Sequence, residues 1–268
     1  MLFITWLSVA ACKKNINTGD RPASPNPTSS KYELLRKINW STHGAEAKFA
    51  YNNDSTLKTI DYNGSGSGYS VLFSHTDRGI HSVDVGSSLY KYDYIYNEKS
   101  QISNVRRLDA FSTDYSQDLA FSYRQDGAIA GLRYYQGIGM ARKLVYTHTY
   151  GYNASGMLAE ISVVGNNGTQ FLITLNGYSD TFQFDPLWLL GIDLNENYAI
   201  YNYPVLKQMN ALPAIIKRFR IGNGKSILEQ IITITSTIKN ERLEKQHTSI
   251  HYPENPALDS STEAVFEY

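Results

Sequence analysis

Apolar and polar residues alternate along most of this chain with a period of two, and clusters of Asn, Asp, Ser and Gly interrupt the alternation at intervals. Period two places alternate side chains on one face of a strand, and such clusters are where a hairpin turns. Four segments align without gaps: residues 49–60, 94–105, 121–132 and 150–161. Each begins with an aromatic residue and carries a Tyr two positions on: Tyr51, Tyr96, Tyr123 and Tyr152. An aliphatic residue follows six positions after that Tyr, and another three further. A fifth copy from Phe73 to Val83 is one residue shorter, and residues 236–246 read as a worn sixth. The unit predicts a β-hairpin tip, with Tyr packed across the strand pair on an aliphatic partner. Hairpins this regular are expected to stack as an antiparallel meander, mainly β, curved into a large sheet or a partly open barrel.

The flanking segments extend the pattern. Tyr32 to Trp40 and Ala45 to Tyr51 predict a first strand pair around Ser41-Thr42-His43-Gly44. Gln170 to Leu175 and Thr181 to Phe184 predict another around Asn176-Gly177. The period then changes, and residues 187–212 are expected to form a short helical or irregular plug over one mouth of the β structure. After Pro213, long strands resume at Ala214 to Ile221, Ile227 to Ile238 and Leu243 to Tyr252, with a closing Ala264 to Tyr268.

The 268 residues include 25 basic and 25 acidic side chains, with 42% apolar and 13% aromatic residues. That is ample apolar matter for a core, and there is no cationic excess for nucleic acid, so none is expected as a partner. Tyrosine stands out, with 21 residues against 10 Phe and 3 Trp.

The only cysteine is Cys12, directly after Leu7-Ser8-Val9-Ala10-Ala11. An apolar start, small residues and then Cys resemble the bacterial lipobox. The resemblance implies cleavage between Ala11 and Cys12, a diacylglycerol thioether on Cys12 and acylation of the new amino terminus. Several acyl chains hold a protein at a membrane where one is marginal. The leader is short and has no Lys or Arg before its apolar stretch, a departure that an upstream start codon would remove. Residues 12–30 contain three of the eight prolines and almost no apolar residue, so they read as a flexible tether. Thus residues 1–11 are expected to be a signal peptide, 12–30 a tether and 31–268 a single β domain. Lys13 in place of Asp implies, by the same resemblance, release to the outer membrane, with its facing side left open.

The unit at Tyr150 to Ile161 resembles the YD repeat of Rhs-type shell proteins. With a lipobox and a domain of this size, the chain is more similar to a Bacteroidota lipoprotein family of unknown function with a porin-like β fold. That family carries a late Asn-Leu-Pro-like element, which Met209-Asn210-Ala211-Leu212-Pro213 approximates. A membrane-embedded barrel is the weaker expectation. Lys217-Arg218-Phe219-Arg220 offers no clean lipid-facing row, and a lipid anchor on an integral barrel is redundant.

Catalytic and metal signatures are missing from the sequence. His75-Thr76-Asp77-Arg78-Gly79-Ile80-His81 holds three metal-ligand types, but Asp77-Arg78-Gly79 suits a turn that puts the two histidines on separate strands. His247 and His251 are about 13 Å apart on a strand, too far for one ion. Asn63 to Gly68 is glycine-rich, with no helix pattern after it to aim amides at phosphate. No catalytic residue, cofactor or metal is therefore assigned. Tyr90, Tyr92, Tyr134, Tyr135, Tyr198 and Tyr201 fall outside the repeat's structural position and are the candidate ligand contacts. The expected function is a non-enzymatic binding or scaffold module bound to the membrane through Cys12, with a glycan or an envelope protein as partner. Capture of polysaccharide is the alternative, and a hydrolase with an unrecognised carboxylate pair a further one.

Overall fold

The computed structural model describes residues 34–268 apart from 42–43, 65–67, 87–88, 111, 183–202 and 210. Residues 1–30, and with them Ala11 and Cys12, lie outside the described residues, as do Tyr198, Tyr201 and most of the expected plug.

Among the described residues the chain forms a meander of sixteen strands. The first eight are β1 Lys37–Trp40, β2 Glu46–Tyr51, β3 Leu57–Asn63, β4 Tyr69–Thr76, β5 Gly79–Val85, β6 Tyr90–Tyr96, β7 Ile102–Asp109 and β8 Tyr115–Tyr123. The second eight are β9 Ile129–Gln136, β10 Lys143–Tyr152, β11 Leu158–Gly165, β12 Gln170–Tyr178, β13 Pro213–Gly222, β14 Lys225–Lys239, β15 Arg242–His251 and β16 Ser260–Glu267. Each pairs antiparallel with its neighbours in sequence, and β1 pairs with β16, so the wall closes. The sequence left open sheet and barrel undecided. The register Ile38↔Phe266 and Trp40↔Ala264 settles it as a closed barrel, because both edges are used up.

One expected hairpin does not form. Asn176-Gly177 is not a turn: β12 runs through it to Tyr178 and pairs with β13, in the register Asn176↔Ile215 and Tyr178↔Pro213. Gly177 takes a positive φ of 64° within the strand, which lets the backbone continue without reversing.

The repeat units are the hairpins β2–β3, β6–β7, β8–β9 and β10–β11, and their turns share one conformation. In the fourth, the Gly156 amide donates to the Asn153 carbonyl and the Asn153 amide to the Met157 carbonyl. Asn153 Oδ1 accepts from the Ser155 and Met157 amides, fixing the turn from within. The last turn residue lies in the left-handed region in all four: Ser55 at φ 67°, Ser100 at 56°, Gly127 at 84° and Gly156 at 77°. This is the three-residue hairpin loop closed by a bulge. The bulge falls at the repeat Tyr each time, between Ala50 and Tyr51, Ile95 and Tyr96, Ser122 and Tyr123, and Gly151 and Tyr152.

Directly opposed residues share a face, so register and burial together say which way the wall is turned. Ile60, Val83, Val105, Leu119, Leu132, Ile161 and Ile173 point inward and belong to one continuous apolar cluster. Charge lies on the outward face of β1, β2, β7, β8, β15 and β16, whereas on β12 and β13 the outward row is largely apolar, with Leu172 opposite Phe219 and Asn176 opposite Ile215. Glu46 pairs with Lys37 at 2.8 Å and Lys48 at 2.9 Å, and Lys245 with Glu263 at 2.7 Å. Asp118 sits under Asn104 at 2.8 Å, Arg106 at 3.2 Å and Arg142 at 2.7 Å. A barrel that crosses a bilayer needs the opposite arrangement, with an apolar band about 25 Å tall outside and a polar lumen.

Candidate functional site

The meander gives the barrel two unlike ends. The repeat turns lie at one, here the tip end; the turns after β1, β3, β5, β7, β9, β11, β13 and β15 lie at the other, the rim.

At the tip end each repeat Tyr reaches back one hairpin. Tyr123 Oη donates to the Ile102 carbonyl at 2.6 Å, and Tyr152 Oη to the Ile129 carbonyl at 2.9 Å. Tyr96 Oη donates to Ile80 at 2.9 Å and Tyr51 Oη to Leu35 at 2.8 Å. Tyr178 donates to the Leu158 carbonyl, and Tyr268 to that of Leu243 at 3.1 Å. In the shortened fifth copy His75 stands where Tyr would, and its Nε2 meets the Leu57 carbonyl at 2.7 Å. A carbonyl only accepts, so this Nε2 carries the proton. The acceptor is the first aliphatic of the preceding unit wherever that unit is a repeat. The bulge frees that carbonyl from the ladder, and the phenol satisfies it. Burial raises the Tyr96 hydroxyl to about 12, so it stays a neutral donor at physiological pH. The repeat tyrosines thus form a girdle of hydrogen bonds, beyond the ring-on-aliphatic packing that the sequence suggested.

Of the plug, the structure describes residues 203–209 and 211–212. A single helical turn, α1 Tyr203–Leu206, is buried against the tip end. Tyr203 meets Tyr94 edge to face with ring centroids 5.8 Å apart. Gln208 fixes the segment to the third hairpin: its Oε1 accepts from the Ile129 amide at 3.0 Å and its Nε2 donates to the Gly127 carbonyl at 3.0 Å. No local motif marks Gln208, because the contact joins positions 79 and 81 residues apart.

The candidate ligand tyrosines separate into two groups. Tyr92 and Tyr134 point into the barrel and are 3% and 8% exposed, so their rings are core. Both sit on strands whose alternation carries them inward, Tyr92 opposite Val83 and Tyr134 opposite Leu119. Tyr90 is half-buried near the rim beneath the Arg107 guanidinium, 4.4 Å from its ring centroid. Tyr135 lies on the outer wall under Arg142, 4.3 Å away. These four do not converge on one surface. Rings do gather at the rim on β1, β3 and β4: Tyr62 stacks between Trp40 at 6.3 Å and Tyr69 at 4.9 Å.

Inside the wall one titratable group stands out. His148 is 1% exposed, opposite Leu132 and Val163, between the rings of Tyr146 and Tyr150. Its Nδ1 has no hydrogen-bond partner, and burial pushes its pKa down to about 4. A lone imidazole is neither a metal site nor a catalytic dyad. Among the described residues no three His, Cys, Asp or Glu side chains gather in a metal-binding group. His251 and Asp259 form a 2.7 Å pair at the rim, with the Asp259 carboxyl held below its usual range by the Tyr252 amide and by His251.

Solved structures share this path of the chain. A porin-like protein from Bacteroides uniformis superposes with a TM-score of 0.57 at 12% identity, over 90% of this chain and 99% of that one. A porin-like protein from Bacteroides vulgatus gives 0.58 at 11%, over 88% and 99%. The barrel has a porin-like fold. At such identities the likeness concerns the path of the chain alone. No family profile and no curated protein matches the sequence. The porin-like barrel described here has side chains packed through its interior and charge on its outer wall. No helix among the described residues is long and apolar enough to cross a membrane.

Proposed function

We propose that this chain is a lipid-anchored envelope lipoprotein of the outer membrane, with its porin-like barrel serving as a non-enzymatic binding or scaffold module. The observation that carries the reading is the polarity of the wall. An integral barrel is held in the bilayer by an outward apolar band. Here the outer wall of β1, β2, β15 and β16 carries the Lys37–Glu46–Lys48 and Lys245–Glu263 ion pairs instead. Residence at a membrane then requires a separate device, and the lipobox-like sequence ending at Cys12 supplies one. The packed interior supports a module that works through its surfaces, with the girdle and plug keeping the shell rigid.

Labelling of cells with radioactive palmitate tests the anchor. The expected result is incorporation into the wild-type chain and none into Cys12→Ser. Alkaline carbonate extraction tests the wall: Cys12→Ser is expected in the extract. Unchanged labelling, or a Cys12→Ser protein that stays in the membrane through carbonate, refutes the reading.

A further inference from the structure

Exposed apolar side chains are distributed unequally between the two ends. Among the described residues nine large hydrophobic side chains are exposed, and six of them stand at the rim: Tyr69, Leu89, Tyr115, Ile138, Met140 and Leu258. Of the other three, Leu72 and Val265 are on the outer wall and Val164 faces outward level with Gln170, which opens β12; none is on a repeat turn. Single exposed apolar residues are ordinary, but a grouping at one end is not.

Five of the six are neighbours along the rim. Tyr69 opens β4, Leu89 lies between β5 and β6, Tyr115 opens β8, and Ile138 and Met140 lie between β9 and β10. Successive hairpins are about 10 Å apart along the wall, so these side chains trace one arc. Met140 is its apex: a 3-10 turn at Gly139–Ala141 holds the side chain fully exposed, at 102%.

We propose that this arc docks on a lipid bilayer, with Leu89, Ile138 and Met140 entering the acyl boundary. The layering matches a membrane surface. Leu89, Ile138 and Met140 stand on the turns themselves and Tyr69 and Tyr115 open the adjoining strands; Arg106 and Arg142, which share Asp118, lie over the rings of Tyr115 and Tyr135 at 5.4 and 4.3 Å. Tyrosine and arginine suit headgroup depth, where rings meet the interface and guanidiniums meet phosphate. The apolar groups rise from separate loops. A fluid bilayer accommodates such an array, whereas a protein partner needs a matching surface. The dip required is about 5–10 Å, which leaves the charged wall in water. β1 enters the barrel from the tip end, and a coil-like stretch of about twenty residues reaches about 25 Å in general. That is close to the height of an eight-residue strand, so a membrane holding Cys12 is within reach of the rim.

The test uses the full chain with Cys12→Ser, so that no acyl group contributes, and vesicles of phosphatidylethanolamine with phosphatidylglycerol. The protein is expected to sediment with the vesicles. Adding Leu89→Ser, Ile138→Ser and Met140→Ser is expected to weaken partitioning about tenfold or more. Adding Leu72→Ser, an equally exposed wall position, is expected to leave it unchanged. The proposal is overturned if the parent stays in the supernatant, if the triple variant binds as well as the parent, or if Leu72→Ser weakens binding equally. It also fails if the rim substitutions abolish self-association without altering vesicle binding. None of these outcomes bears on palmitate labelling, so the anchor stands or falls separately.

Discussion

The tip end and the rim are built from the same sixteen strands, yet they follow different rules. At the tip end one turn conformation recurs, its residues are polar, and repeat hairpins are tied to the one before by a phenol-to-carbonyl bond, or by the His75 imidazole in the shortened copy. At the rim the loops differ in length and chemistry, running from Gly222-Asn223-Gly224 to the Tyr252–Asp259 excursion with its 3-10 turn. Repetition serves stability: a unit that satisfies its neighbour's carbonyl can be copied around a wall. Irregularity is where a surface can be specialised, because no neighbour constrains it.

The widest separation is expected between two tyrosines. Tyr123→Ala removes a half-buried ring and leaves the Ile102 carbonyl without its donor, so a loss of about 3–5 kcal/mol is expected. Tyr115→Ala removes an exposed ring that donates to Asp93 and lies beneath Arg106 on the outer wall, and is expected to cost less than about 1 kcal/mol. Urea denaturation of both variants decides it. Equal losses would mean that the girdle is no more than surface decoration.

That contrast also marks what was readable from the sequence. The aromatic-x-Tyr unit located the hairpins, because the αL turn residue, the bulge and the inward ring follow from local chemistry at fixed offsets. The phenol's acceptor was hidden. Tyr123 and Ile102 are 21 residues apart, and only the pairing of successive hairpins brings them together. His75 illustrates the same limit: it sits at a Tyr position in the fifth copy, yet its role shows only with the Leu57 carbonyl beside it. Asn176-Gly177 misled because turn-forming residues also occur where a strand merely kinks. Tyr92 and Tyr134 lie outside the repeat's structural position, but period two alone carries them inward. Closure was beyond a local reading, since it depends on Ile38 meeting Phe266 across the whole chain.

Between the two ends, His148 reports whether the interior is dry. It is neutral in the fold with a pKa of about 4, against 6.5 when exposed. Between those values the unfolded chain binds a proton that the folded chain refuses, so stability falls as pH falls. The loss attributable to His148 approaches about 3 kcal/mol by pH 4, and above pH 6.5 it is nil. His148→Leu is expected to flatten this part of the curve in denaturation series from pH 7 to 4.5. Glu46, held at about 2 by Lys37 and Lys48, loses its contribution only at lower pH, as pH falls from 4.5 towards 2. If wild type and His148→Leu fall in parallel, water reaches the imidazole and the lumen is not a sealed core.

Gln208 tests whether the plug belongs to the tip end as a structural part. Gln208→Ala strands the Ile129 amide beneath α1 and is expected to cost about 2 kcal/mol. Protease nicking near residues 203–209 is expected to accelerate with it. Unchanged stability together with unchanged nicking would make the plug an attachment that the girdle does not need.

The smallest effect bears on why the repeat can be copied at all. Its turn demands a left-handed residue, which Gly127 and Gly156 supply and Ser55 and Ser100 supply under strain. A side chain in that region costs about 1 kcal/mol relative to glycine, partly offset by glycine's greater freedom in the unfolded chain. Ser100→Gly is therefore expected to stabilise by about 0.5 kcal/mol, and Gly156→Ser to destabilise by a similar amount. Space plays no part in the second case, since a Cβ at Gly156 has no atom within 4 Å. Paired thermal melts read the two shifts, and opposite signs are the expected signature of a shared conformation. Shifts of the same sign would show that the second and fourth turns resemble one another in sequence but not in backbone, and the tip end would lose its claim to uniformity.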